Sequence, residues 1–255
     1  MQRLPEVKVL GVWGRLTLWV SQHPPIVRLV SLTAGLVIFI AVLPPYIRLF
    51  FWVGLQSHKI LASMLLVFSL LAVSLVWTAG QKVDTWAFLI FNLWGSRPIW
   101  LDRMMLGFTQ IGSGIAALGI GIVLFLTSNR LFSYEFMLGT LTLWLVVEVL
   151  KFLVHRSRPI FRLTQTRTIG NRAIGRSFPS GHTSQAFFMA TLIAQYFHPN
   201  IWLVFLLYIV ALLVGITRMY VGAHYPRDVL AGAILGSAWG LLGMIVSGYV
   251  MTRIG

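Results

Sequence analysis

The chain has 255 residues, 58 % of them hydrophobic and 10 % charged, with 20 Lys and Arg against 6 Asp and Glu. So few charges over so many apolar runs exclude an ordinary soluble domain, and the lack of cysteine excludes disulfides, thiolate chemistry and a Cys-based zinc site. The net charge of +14 invites nucleic acid, but the cations do not spread along a soluble face, so no nucleic-acid partner is expected.

In chain order, residues 1–28 are basic and amphipathic, with Trp13 and Trp19 suited to a membrane interface. Arg3, Lys8, Arg15, Arg28, Arg48 and Lys59 flank the first hydrophobic segments, where anionic headgroups would meet them. The apolar stretch Leu29 to Leu43 runs into Pro44 and Pro45 and is followed by Tyr46 to Leu55. It reads as an additional spanning helix or as a hairpin, broken at the double proline in either case. A cleavable signal peptide fits less well, because the apolar run begins late and no small-residue cleavage pattern follows. Residues 1–57 are therefore set apart as an extension, and 58–255 as the membrane domain that carries the chemistry.

Six runs then approach the ~20 residues a helix needs to cross the hydrocarbon core. They are Ile60 to Ala79, Met104 to Thr127, Phe132 to Val154, Ser184 to Phe197, Ile201 to Ile216 and Val229 to Met251. The fourth and fifth are short and should begin or end inside the protein. Lipid offers backbone amides no partner, so these runs predict helices in a bundle, and no sustained period-two alternation points to a barrel. The fold class expected is all-α, a polytopic membrane protein with a six-transmembrane-helix core and an extra N-terminal hydrophobic segment. Lys82 to Arg103, with its aromatic turn Trp86 to Trp94, is expected at the interface, and Ser128 to Leu131 and His198 to Asn200 as tight turns. Arg158 to Pro179 is the one long polar segment, and such loops are often functional.

Chemistry concentrates in three short runs: Lys151 to Pro159, Pro179 to His182, and Thr217 to Asp228. No Asp or Glu lies between Val149 and Arg227, while Lys151 to Arg176 carries seven Lys or Arg. A cationic cluster within a membrane protein is costly unless an anion or water meets it, and phosphate is the natural guest. In the first run, Lys151 closes an apolar helix and Arg158 precedes Pro159, so the helix should end at or before Arg158. Taken alone, that run also fits basic side chains snorkelling to the interface. Glu148, one turn before Lys151, is expected to hold the lysine, with a proton-relay role left open. In the second run, Ser180 is a plausible N-cap, and the free amides of Gly181 and His182 would face an anion. In the third, Asp228 follows His224 by four residues, so one turn of chain can bring its carboxylate to the imidazole. That contact would fix the tautomer and leave the other ring nitrogen free to attack.

Together the runs resemble the three-part signature of the type 2 phosphatidic acid phosphatase (PAP2) superfamily, KxxxxxxRP, PSGH and SRxxxxxHxxxD. They read here as Lys151, Arg158 and Pro159; Pro179, Ser180, Gly181 and His182; and Thr217, Arg218, His224 and Asp228. Thr217 stands where the pattern usually has Ser, which keeps the hydroxyl. The likeness covers about Val83 to Gly248 and the preceding helix. It implies a PAP2-like six-helix core and hydrolysis of a lipid phosphate monoester or diphosphate, with no metal and no other cofactor. It also implies that Lys151, Arg158 and Arg218, with Ser180 and the Gly181 amide, cradle the phosphoryl oxygens. His224 would then attack phosphorus to give a phosphohistidine, Asp228 would brace it, and His182 would protonate the leaving oxygen.

Phosphoryl transfer needs charge stabilisation and alignment above all, and three cations with a helix end supply both. Of the six acids only Glu148 and Asp228 are expected near the motifs, too few for a site built on oxygen ligands. Nearby cations and a helix N-terminus both favour a neutral His182, so a bound phosphate dianion is expected to restore its proton. The apparent pKa of His182 should then be lower in the free enzyme than in the complex.

Reactive groups at the ends of an apolar bundle suit a substrate with its phosphate at the interface and its tails in the bilayer. The resemblance implies undecaprenyl diphosphate, slightly favoured, or phosphatidic acid, phosphatidylglycerophosphate or lipid A phosphates. A phosphotransferase using the same phosphohistidine stays open, as does a transporter or scaffold with no turnover. Arg162, Arg167, Arg172 and Arg176 either hold a second phosphate or form a solvated basic loop. Basic residues balance on the two faces if residues 1–57 form a hairpin, and lean toward a cytoplasmic site if the N-terminal segment spans. The resemblance implies an extracytoplasmic site in the cell membrane, which is preferred because phosphate-binding loops distort the count. The sequence leaves oligomeric state open.

Overall fold

The computed structural model describes residues 19, 22–93, 97–127, 130–171 and 173–254, with only the backbone described for Phe50 and residues 249–254. Trp13, Trp94, Arg3, Lys8, Arg15, Arg172 and the turn residues Ser128 and Asn129 lie outside the described residues. Among those described there are ten α-helices, one short 3₁₀ turn and no strand, so the all-α expectation holds.

The chain divides into two compact units, one ending at Leu43 and the other beginning at Pro44. The first contains α1 (Pro25–Val42), which starts with proline at its first position and stops before the double proline. Its apolar side chains are largely exposed, as suits a helix whose solvent is lipid. The second unit contains α2 (Pro45–Ser57), α3 (Lys59–Ser74), α4 (Thr78–Leu93), α5 (Ile99–Ile111), α6 (Gly114–Thr127), α7 (Arg130–Val154), α8 (Gly181–Phe197), α9 (Ile201–Tyr220) and α10 (Pro226–Ile254). Among the described residues, four helices are long and apolar enough to cross a membrane, or up to six if each of two bent pairs is one span.

The expected run Met104 to Thr127 is one of those bent pairs, with α5 and α6 meeting at 57°. Packing accounts for the bend. A Cβ on Gly112 would lie 2.5 Å from the carbonyl oxygen of His182, and the side chain of Ser113 accepts from the amide of Ala116 at 3.1 Å to start the new helix.

The short helix α8 is the axis of the second unit, and its residues are buried in protein from Thr183 to Leu192 except Phe187. This matches the expectation that a run too short for lipid begins inside the bundle. Its most extensive contact is with α10. Gly232, Gly236 and Gly240 of α10 recur every four residues on the contact face, and a Cβ on Gly236 would lie 2.1 Å from the Ser184 carbonyl. Small residues at this spacing let two backbones approach in a medium that supplies little hydrophobic drive between helices. On the other side, Phe132, Phe136 and Leu143 of α7 pack with Phe188 and Leu192 of α8 and with Phe68 of α3. The result fixes the start of α8 against the ends of α7, α9 and α10.

Candidate active site

Every motif residue lies at one end of this second unit. At its C-terminal turn α7 presents Lys151, whose Nζ pairs with Oε1 of Glu148 at 2.6 Å. Beyond the helix, Arg158 is extended (φ −73°, ψ 158°) ahead of Pro159, as the proline requires. Its Nε donates to the Gly175 carbonyl at 3.3 Å and its Nη1 to the Ala223 carbonyl at 3.1 Å. Arg218, on the last turn of α9, donates to the hydroxyl of Thr109 at 2.6 Å. Its Nε is buried and bonded to nothing among the described residues. Arg158 is 6 % exposed and Arg218 8 %, yet neither has a carboxylate within ion-pair distance among the described residues.

The second run starts α8 with Gly181 at its first position. Ser180 is the N-cap residue, but its side chain bonds no helix amide, which corrects the expectation of a capping hydroxyl. It bonds the Thr183 hydroxyl at 2.8 Å instead and is fully buried. Its backbone amide donates to the carbonyl of Asp228 at 3.0 Å, tying the second run to the third. Gly181 and His182 face the cavity, and Ser180 is not among its lining residues.

In the third run, His224 and Asp228 are both buried, at 2 % and 0 % exposure. Their separation from Nδ1 to Oδ2 is 3.6 Å, longer than a hydrogen bond, so here the carboxylate faces the ring without bonding it. The other ring nitrogen, Nε2, accepts from Nη1 of Arg158 at 3.0 Å. That contact requires an unprotonated Nε2 and places the ring proton on Nδ1, toward Asp228. Burial, and next the guanidinium of Arg158, lower the His224 pKa to about 3, in keeping with the unprotonated Nε2 that Arg158 faces.

Behind this pair lies a network that the motif reading missed. Arg156 donates from Nη1 to Oδ1 of Asp228 at 2.6 Å and from Nη2 to Gln81 at 2.8 Å and to Asp84. Arg227 donates to the same Asp84 carboxylate from Nε at 2.7 Å and from its backbone amide at 3.1 Å. The expectation that only Glu148 and Asp228 lie near the motifs is therefore wrong. Asp84 is 3 % exposed on α4, where Asp84, Phe88 and Asn92 form one buried face. Their i, i+4, i+8 spacing was the available signal, and it was hidden by the surrounding aromatic residues. Asp102 was missed in the same way. It accepts from Nη2 of Arg167 at 2.5 Å and from the Tyr220 hydroxyl at 2.6 Å. Asn92 bonds the backbone of Arg167 at both its amide (2.8 Å) and its carbonyl (2.9 Å). The polar loop is thereby pinned over the site.

Lys151, Arg158, Gly181, His182, Arg218 and His224 share one cavity of about 350 Å³. A second cavity, about 680 Å³ and lined mainly by apolar residues of α6, α7 and α8, shares Gln110, Lys151, Gly181 and His182 with the first. Fold and site thus define a multi-pass helical membrane protein with a cationic pocket beside an apolar groove.

Residues 134–251, a little under half of the chain, match the family model of the PAP2 superfamily. The chain is 29 % identical to phosphatidylglycerophosphatase B of Bacillus subtilis, over 73 % of this chain and 93 % of that protein. It is 32 % identical to a Bacillus licheniformis protein named bacitracin transport permease protein BcrC, over 47 % of this chain and 59 % of that protein's length. Its fold is similar to the crystal structure of a transmembrane PAP2 type phosphatidylglycerolphosphate phosphatase from Bacillus subtilis. The TM-score is 0.63 at 26 % identity, covering 74 % of this chain and 96 % of the other.

Proposed function

We propose that this protein hydrolyses a lipid phosphate or diphosphate through a phosphohistidine. The observation that carries the reading is a pair of nearly buried guanidinium groups, Arg158 and Arg218, that line one cavity with no carboxylate within ion-pair distance among the described residues. Buried charge of this kind calls for an anionic partner. Lys151, the Gly181 amide and the positive end of α8 surround the same space, as phosphate binding at a helix start requires. Ser180 belongs to this machinery through its backbone, which anchors the start of α8 to Asp228.

The chemistry follows from the tautomer. Phosphate oxygens draw the Arg158 guanidinium off Nε2 of His224, and the freed lone pair attacks phosphorus. The phosphorus–oxygen bond to the lipid breaks, and His182 gives its proton to the departing oxygen. Asp228 stabilises the positive charge that the phosphorylated imidazole gains. Water then attacks phosphorus, His182 takes the water proton, and inorganic phosphate leaves with His224 restored. The residues involved all lie in 58–255, the stretch proposed as the catalytic domain.

The apolar groove supports a lipid substrate, since it shares Gln110, Lys151, Gly181 and His182 with the pocket and offers an attached chain an apolar place between α6 and α7. Thr168 and Asn171 on the rim offer neutral hydrogen bonds to a second phosphate. This makes undecaprenyl diphosphate the first lipid to test, and phosphatidylglycerophosphate, the namesake substrate of the Bacillus subtilis relative, the second. The extracytoplasmic face is the proposed location of the pocket.

The test is release of inorganic phosphate from a panel of lipid phosphates by the purified protein in detergent. Release inhibited by vanadate and insensitive to chelator is the expected result. Tight binding of the same lipids without release would favour a transporter or scaffold, and transfer of labelled phosphate to a second lipid would favour a phosphotransferase.

A further inference from the structure

We infer that Arg156 is a positioning residue for this reaction, holding the charge of Asp228 so that His224 remains an uncharged nucleophile. The inference rests on the role proposed for His224 and adds a determinant of its protonation.

A carboxylate with no solvent exposure beside an imidazole ordinarily draws a proton onto the ring. Here that charge is already engaged. Oδ1 of Asp228 receives Nη1 of Arg156 at 2.6 Å, and Oδ2 receives the Tyr225 amide at 2.9 Å, while Nδ1 of His224 stands off at 3.6 Å. Arg156 is itself held from three sides. Gln81 and Asp84 of α4 take Nη2, and the Tyr225 ring lies 4.3 Å beneath the guanidinium. A planar, permanently charged fork can bridge two carboxylates in this way, and an ammonium cannot.

The charges around His224 divide into two sets. On the cavity side are Arg158 from the loop after α7, Arg218 from α9, Lys151 from α7 and the ring of His182 from α8. On the far side is Asp228 from α10, backed by Arg156 and then by Asp84 of α4, which Arg227 also contacts. Without Arg156, Asp228 is a buried anion whose nearest titratable neighbour is His224. The ring then gains a proton and loses its lone pair in a pH range where the wild-type ring is free.

The experiment measures kcat/KM for phosphate release from phosphatidic acid and undecaprenyl diphosphate micelles, across pH, with the full chain in detergent. The proteins compared are wild type, Arg156→Gln, Arg156→Lys and Asp84→Asn. A neutral nucleophile is lost as pH falls through its pKa, so the acid limb reports His224, and the substrate's own ionisation is common to all four proteins. The acid limb should move upward by about one unit or more in Arg156→Gln, and by less in Arg156→Lys, which keeps the charge. It should not move upward in Asp84→Asn, which breaks the same link between α4 and α10 but leaves Arg156 on Asp228. A limb that stays in place in both Arg156 variants, with rates lowered evenly at every pH, overturns the inference and leaves Arg156 as an interhelical clamp. If Arg156→Gln does not fold, the limb of Arg156→Lys decides alone. Absence of release by the wild type overturns the hydrolase reading and this inference together, whereas release with an unmoved limb overturns only the inference.

Discussion

The lone pair of His224 faces the guanidinium of Arg158 at 3.0 Å, and in the proposed reaction attack requires that guanidinium to turn to the bound phosphate. Substrate binding and release of the nucleophile are then one event. His224→Ala removes the attacking nitrogen and spares Lys151, Arg158 and Arg218, so turnover should vanish while equilibrium binding of a lipid phosphate stays within a few-fold of wild type. Appreciable residual turnover would transfer the nucleophile role to water. Trapping of a phosphohistidine in the wild type, and not in the variant, is the direct check.

His182 yields a prediction of opposite sign. A general acid is lost as pH rises through its pKa, so the alkaline limb is the one to follow. Burial, and next the cations of Arg218, Lys151 and Arg158, favour the neutral ring, and a bound phosphate dianion favours the charged one, so the limb should lie at higher pH in kcat than in kcat/KM. Coincident limbs would mean that the substrate does not set the proton. That Lys151, Arg158, Gly181, His182, Arg218 and His224 would gather at one cavity was legible in the sequence because the chain keeps the spacing of the three motifs. The pairing of Asp84 with Arg156 was not, because those residues are 72 positions apart and meet only where the folded bundle sets α4 beside the segment that follows α7.

At the level of helices, the α8–α10 contact sets the position of the catalytic end. Gly236→Val places a branched side chain where even a Cβ would sit 2.1 Å from the Ser184 carbonyl. Overpacking of this kind costs about 1–3 kcal/mol, so thermal stability should fall. Phosphate release should fall with it, because Ser184 lies two residues from His182. The same substitution at Gly248, where nothing lies within 4 Å of an added Cβ, should leave both unchanged. Helix positions could be read from hydrophobic run length. The bend at Gly112 could not, since its cause is the carbonyl of His182, 70 residues along the chain.

For the whole molecule, the open question of sidedness has a clean test because the natural chain contains no cysteine. Gln165 is exposed on the loop above the pocket. In Gln165→Cys, a membrane-impermeant maleimide added to intact cells should label the protein if the pocket faces outward. Labelling only after the cells are broken would place the chemistry in the cytoplasm.

The groove that leads from Lys151 and His182 along α6 and α7 has a kinetic consequence. A substrate arriving through it searches in two dimensions, so its effective concentration is its mole fraction in the surrounding amphiphile and not its molarity in the tube. Adding detergent at constant total lipid should slow the enzyme as the inverse of the dilution, while short-chain analogues dissolved in water escape that dependence.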